Sequence, residues 1–395
     1  MAGTGEYTTG FVHDSASSSD KSAGVVALTL FDLRARGLVG DLSMVGTNGT
    51  KFPAIREHLE TAIASRYNGL STAFTSFPAD TVSRDPRAYV TALDALSPGD
   101  CVTIFTPDDS HFEIAEAALQ RGLHALIAKP LVQKTHHHQK LMSLAGEKNL
   151  LCAMEVHKRW DPIYADARDR ARTLGPFSHF NAYMSQPKSQ LQTFKSWAGK
   201  SSDISFYLNA HHLDLLLWII GDSFRATSVH AIAATGTAVA SGLPTEDSIT
   251  LCVQFQSLDG ERHASALLTS SWIAPKSDVH SQQRFFYQAE KGEITVDQAH
   301  RGYTIADDSS GLHSPNPLFM KYTPNSLGEF SGQSGYGYRS IEDFILAARS
   351  VNEGKTKAGD WHHRLASAAS TLDVTRILEA GRSSLDEHGS LVTLT

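Results

Sequence analysis

Cysteine is scarce in this chain, with three in 395 residues. Cys101, Cys152 and Cys252 lie far apart, each in an apolar setting (GDCVTIF, LLCAMEV, TLCVQF). That spacing argues against a disulfide framework and reads as buried thiols. Excess charge is also small: 35 Lys and Arg face 42 Asp and Glu, a formal net charge of −7. There is no basic field to neutralise a nucleic-acid backbone or an anionic membrane surface. Long apolar runs are missing as well, since nowhere do about 18 apolar residues follow one another without a charge. The opening segment MAGTGEYTTGFVHDSASSSD lacks the basic-then-apolar order of a secretion signal. The expectation is a soluble, cytoplasmic protein with neither nucleic acid nor membrane as partner.

What is present is an ordinary globular balance, 41% hydrophobic and 19% charged. At ~100–200 residues per domain the length predicts two domains, and a change of texture divides them into 1–152 and 153–395. In the first, short apolar runs alternate with helical stretches. Strands are expected at 42–45, 102–105, 123–128 and 150–156, and helices at 24–36, 111–121 and 136–148. Such alternation gives right-handed crossovers and a doubly wound parallel sheet. In the second, a helix at 162–174 precedes strand-like runs at 178–184, 228–235, 248–255, 264–272 and 283–288. A helix is expected at 211–220, and two more close the chain at 341–350 and 363–380. The fold class is therefore α/β, with a doubly wound parallel sheet followed by an α+β domain on an open, mostly antiparallel sheet. The serine-rich run 15–19 reads as a mobile loop.

Several residues are candidates for chemistry. The stretch Gly3-Thr4-Gly5-Glu6-Tyr7-Thr8-Thr9-Gly10 would let backbone approach a pyrophosphate, the alternative being a flexible turn. Only Met1 and Ala2 precede Gly3, so the strand that normally leads into such a turn is short or missing. After the 42–45 strand, Gly46-Thr47-Asn48-Gly49-Thr50-Lys51 offers no carboxylate for a ribose hydroxyl. Lys51 offers positive charge for a 2′-phosphate, which leans towards NADP with NAD as the other option; an Asn-Gly turn before a helix is the plain alternative. Thr106-Pro107 with His111, and then Ala128-Lys129-Pro130, end successive strands where ligands of open α/β sheets bind. There the Lys129 ammonium can donate to a substrate oxygen. His136-His137-His138 have no spaced carboxylate or cysteine partners, and His362-His363 lacks one-turn spacing. No metal is expected, and the first three begin a solvated helix.

The ordered series from Thr106 to Pro130 resembles the glucose-fructose oxidoreductase, inositol dehydrogenase and rhizopine-catabolism family, whose first domain, of Rossmann type, ends in Glu-Lys-Pro. Lys129 and Pro130 match, and Ala128 replaces the glutamate. His157-Lys158-Arg159-Trp160-Asp161-Pro162 is similar to the start of the family's second domain, and His211-His212-Leu213-Asp214 to its H-x-x-D helix. Tyr207 stands where relatives carry an aspartate, one helical turn before His211. The strings GTGEYTTGFV, VGTNGTKFPAIREH, SDISFYLNAHH and GYGYRSIEDF look most like a D-galacturonate reductase subgroup.

The resemblance implies an NAD(P)-dependent oxidoreductase acting on a sugar or sugar acid, and for the subgroup the reduction of D-galacturonate to L-galactonate. Catalytic roles fall to Lys129, His211 and Tyr207. Cofactor contacts fall to Gly3, Gly5, Glu6, Tyr7, Thr8, Asn48, Lys51, Thr106, Pro107, His111, Lys129 and Pro130. Substrate contacts fall to Lys129, His157, Arg159, Tyr207, His211 and His212. Lys188 and Lys195 read as surface lysines, with a substrate carboxylate as the other option. His211 or His212 as a satisfied helix histidine, and Tyr207 as a packed aromatic, stay open. A homodimer or homotetramer is implied by the same analogy. The second function class is a dinucleotide-binding sensor of the same family that catalyses nothing.

Overall fold

The computed structural model describes all residues except 13, 18–20, 310, 321, 325, 328, 329, 334 and 395. The chain divides into two compact units. The first comprises Met1–Leu131, His136–His157 and Pro317–Ser370, and the second Val132–Thr135, Lys158–Asn316 and Thr371–Thr395. This corrects the expected single break after residue 152. The first unit continues to His157 and takes back a late stretch of chain. The helix Tyr336–Asn352 explains the return, because it buries Tyr338, Ile341, Phe344 and Ile345 along one stripe. Arg36 donates to Glu342 at 2.6 Å, the Tyr338 hydroxyl donates to Asp32, and Met154 N donates to Ala366 O at 2.7 Å.

The first unit is built on a parallel sheet. Thr75–Phe77 pairs with Ser43–Val45, and Cys101–Ile104 pairs with His124–Ala128, which pairs in turn with Cys152–Glu155. Ala2 joins the two halves, bridging in parallel to both Val45 and Ile104. Its amide donates to Thr103 O at 2.7 Å, and its carbonyl accepts from Phe105 N at 2.8 Å. The short first strand is thus one residue of ladder in the central position, and the order is that of a dinucleotide-binding doubly wound sheet. Ala27, Leu28, Phe31, Met44, Phe52, Ile55, Leu59 and Ile63 form a core cluster beside it.

The helix after the glycine-rich turn is interrupted. One turn, Glu6–Thr9, ends at Gly10 with φ +74, and a Cβ there would lie 2.2 Å from Ser22 O. The chain re-enters beside the same turn, where Val25 N donates to Tyr7 O at 2.8 Å, and continues as Val26–Ala35. In the excursion Phe11–Val12 pairs with Ser15–Ala16, and the Ser17 hydroxyl donates to Glu6. The loop expected over 15–19 is therefore ordered at its start. Residues 18 and 19, like residue 13, lie outside the described residues.

The second unit carries a seven-stranded sheet in the order Gly292–Asp297, Gln283–Ala289, Phe177–Pro187, His263–Ala274, Ser248–Ser257, Phe224–Ala234, Val392–Thr393. Every pair is antiparallel except Phe177–Pro187 with His263–Ala274. Burial alternates along Ser248–Ser257, as it should for a sheet with one face packed. The helix Ala210–Ile220 buries Leu213, Leu215, Leu216 and Ile219. Its entry, Ser205–Asn209, is a π-helical turn. Among the described residues no helix is long and apolar enough to cross a membrane.

Candidate active site

In the first unit, Lys129 follows the strand His124–Ala128 and is half-buried. Burial pulls its ammonium down to about 7, against an upward push from Asp108 and then Glu155. A lysine near neutrality can both give and take a proton at working pH, which an ordinary lysine does poorly. His111 is fully buried, with Nδ1 3.0 Å from Pro130 O and Nε2 3.0 Å from Thr106 O. The expected cofactor contact of His111 is corrected accordingly: its two ring nitrogens are engaged by the backbone of the turns on either side, and it positions the Lys129-Pro130 corner. Thr106 Oγ1 accepts from Ser110 Oγ at 2.7 Å, which fixes the other corner.

Aromatic rings gather at the same end of the sheet. Tyr7 stacks on Phe105 with centroids 5.3 Å apart, and its hydroxyl lies 3.1 Å from His157 Nδ1. His157 stacks against Tyr336 at 5.5 Å and tilts against Phe319 at 5.2 Å. Its Nδ1 is 3.4 Å from Glu155 Oε2. Glu155 is the residue sequence reasoning missed: 4% exposed, it accepts from the Ser340 hydroxyl at 2.7 Å. Its signal was an acid closing an otherwise apolar strand, LLCAME. The structure therefore brings Tyr7 and His157 together, with Lys129 under the charge of the same cluster.

The glycine-rich turn fits a dinucleotide in part. Gly3 has φ +104, and a Cβ would sit 2.1 Å from Phe105 O, so only glycine allows this approach. A Cβ on Gly5 would meet nothing within 4 Å, leaving open space before the first turn for an anionic group. Thr8 is a correction, because it is 1% exposed and its carbonyl faces the re-entering chain at Gly24. The Glu6 carboxylate accepts from Ser17. Asn48 Oδ1 accepts from Thr50 N at 3.0 Å and from Thr50 Oγ1 at 2.7 Å, so that oxygen caps its own turn. Lys51 is exposed.

In the second unit, His211 opens the helix Ala210–Ile220 and is 5% exposed. Asp214 of the H-x-x-D signature is gripped by Arg159, Nε to Oδ2 at 2.9 Å and Nη2 to Oδ1 at 2.7 Å. Arg159 is 6% exposed, so its expected substrate contact gives way to a buried ion pair. His212 is likewise corrected. It is 1% exposed, its Nε2 is 3.0 Å from the Tyr164 hydroxyl, and burial, then the charge of Lys158, hold it down at about 3. Tyr207 packs against Phe194 and Trp197 with centroids at 5.3 and 5.2 Å. It lies in the π-helical turn, where i to i+5 bonding is wider than an α-turn. Lys188 and Lys195 are exposed. His138 is buried with Nε2 2.8 Å from Ala368 O, and His137 stacks on Phe112 at 3.8 Å, which corrects the solvated start expected for that helix.

Comparison with known proteins gives four findings. Residues 46–156 match the oxidoreductase family with an NAD-binding Rossmann fold. UDP-N-acetylglucosamine 3-dehydrogenase of Acidithiobacillus ferrooxidans is 32% identical over 149 residues, covering 37% of this chain and 45% of that protein, less than half its length. The NADP-dependent scyllo-inositol 2-dehydrogenase of Bacillus subtilis is 22% identical over 305 residues, covering 74% of this chain and 78% of that protein. A crystal structure of GenD2, from gentamicin A biosynthesis, in complex with NAD covers 94% of this chain and 93% of that one at 18% identity and a TM-score of 0.67, a likeness of fold.

Proposed function

We propose that the chain, whose residues 46–156 match the oxidoreductase family with an NAD-binding Rossmann fold, moves a hydride between a nicotinamide dinucleotide and a carbinol or carbonyl carbon of a sugar, sugar acid or cyclitol. The observation that carries this reading is Lys129, held near neutrality at the carboxyl end of a parallel strand. The bound dinucleotide would supply or accept the hydride. The turn at Gly3 and Gly5 and the Thr106-Pro107 corner would hold it. Lys129 donates its proton to the substrate oxygen during reduction and takes it back during oxidation. Tyr207 lies in the π-turn that leads into the His211 helix and packs as an aromatic.

The finer reading is reduction of D-galacturonate with NADPH, supported by the subgroup strings and by Lys51 in place of a carboxylate. Titration with NADPH and NADH, followed by absorbance at 340 nm with D-galacturonate, D-glucuronate, neutral aldoses and inositols, tests it. NADPH oxidation by a uronate is expected. Turnover restricted to inositols would replace the substrate, binding without any turnover would make the chain a sensor, and no binding would overturn the reading.

A further inference from the structure

Lys129 is preceded by an alanine, so no carboxylate stands beside it in sequence. The parallel register sets Glu155 directly across the ladder from Ala128, and neighbouring strands lie about 4.8 Å apart. Glu155 is 4% exposed, and a buried carboxylate is costly unless its oxygens are engaged. Oε1 accepts from Ser340, which the returning helix Tyr336–Asn352 supplies, and Oε2 faces His157. Both oxygens are therefore directed by residues of other elements, and the charge is delivered at the end of the strand next to the lysine.

We infer that Glu155 is a positioning residue for Lys129, supplying from the neighbouring strand the carboxylate that position 128 does not carry, with Ser340 fixing its orientation. The inference deepens the oxidoreductase reading and rests on it. Glu155 exchanges no proton with substrate; its charge sets how firmly Lys129 holds its own. Asp108, on the turn after Cys101–Ile104, also acts on the lysine; His111 lies behind Pro130, and Tyr7 and Tyr336 flank His157 beside Glu155. Of these, His157, 3.4 Å from Glu155 Oε2, also loses its carboxylate neighbour in a Glu155 variant, so the readout is taken at Lys129 itself.

The test uses the full chain with Glu155→Gln, which keeps the shape and an acceptor for Ser340. The pH dependence of Lys129 labelling by an amine-directed reagent is read by peptide mass spectrometry, alongside the pH profile of turnover. The labelling midpoint is expected to fall by about one pH unit or more, as for removal of a close opposite charge. Glu155→Asp should stay near wild type, and adding Ala128→Glu to Glu155→Gln should return the midpoint upward. If Glu155→Gln does not fold, Ser340→Ala and the Ala128→Glu/Glu155→Gln pair carry the same measurement. An unmoved midpoint in a folded variant overturns the inference. A moved midpoint in a protein that turns over no substrate supports it while overturning the hydride-transfer reading.

Discussion

Arg159 holds Asp214 through two hydrogen bonds, at 2.9 and 2.7 Å, with both side chains buried. A buried pair broken on one side leaves an uncompensated charge, so Arg159→Ala should cost ~3–5 kcal/mol in denaturant unfolding. Arg159→Leu with Asp214→Leu should cost less than the single change. Equal losses would mean that the pair's charges are not what the fold depends on.

His212 predicts acid sensitivity. The folded chain keeps it neutral down to about 3, while the unfolded chain binds a proton from its ordinary 6.5. The unfolded state therefore takes up more protons between those values, and stability falls as pH drops through that window. His212→Gln, which retains an acceptor for the Tyr164 hydroxyl, should lose less stability than wild type between pH 6.5 and 4. Urea midpoints at a series of pH values measure the difference, and parallel curves would refute it.

Lys129 carries a slope of the same sign at higher pH. The unfolded chain holds this proton to its ordinary 10.5, the folded chain only to about 7. Stability thus rises with pH across that interval. Lys129→Met should be more stable than wild type below pH 7, with the gap shrinking as pH climbs towards 10.5. A gap independent of pH would place the proton elsewhere.

Gly3→Ala should strike cofactor binding and stability together. The added Cβ meets Phe105 O at 2.1 Å from a backbone at φ +104, a conformation that costs ~1–3 kcal/mol for other residues. A dinucleotide titration should show weaker affinity, while Gly5→Ala, which meets nothing within 4 Å, should leave the unfolding midpoint close to wild type.

Most strands of both sheets were legible because apolar runs are bounded by Gly, Pro and polar turns. Ala2 was not, since a strand of one ladder residue has no pattern to read. Nor was the return of residues 317–370, because an amphipathic helix announces a face without naming what covers it. Lys129 was singled out from its place at a strand end, whereas His111, Arg159 and His212 were given ligand contacts through the family resemblance, and each is engaged within its own unit. Glu155 stayed hidden because its role depends on cross-strand register.

The most direct test is single-turnover absorbance at 340 nm with NADPH prebound and D-galacturonate, a neutral aldose or an inositol mixed in, comparing wild type with Lys129→Ala. The account predicts that the variant binds NADPH as wild type does and transfers its hydride ~10²–10⁴-fold more slowly. Transfer at the wild-type rate would contradict it and remove Lys129 from the chemistry.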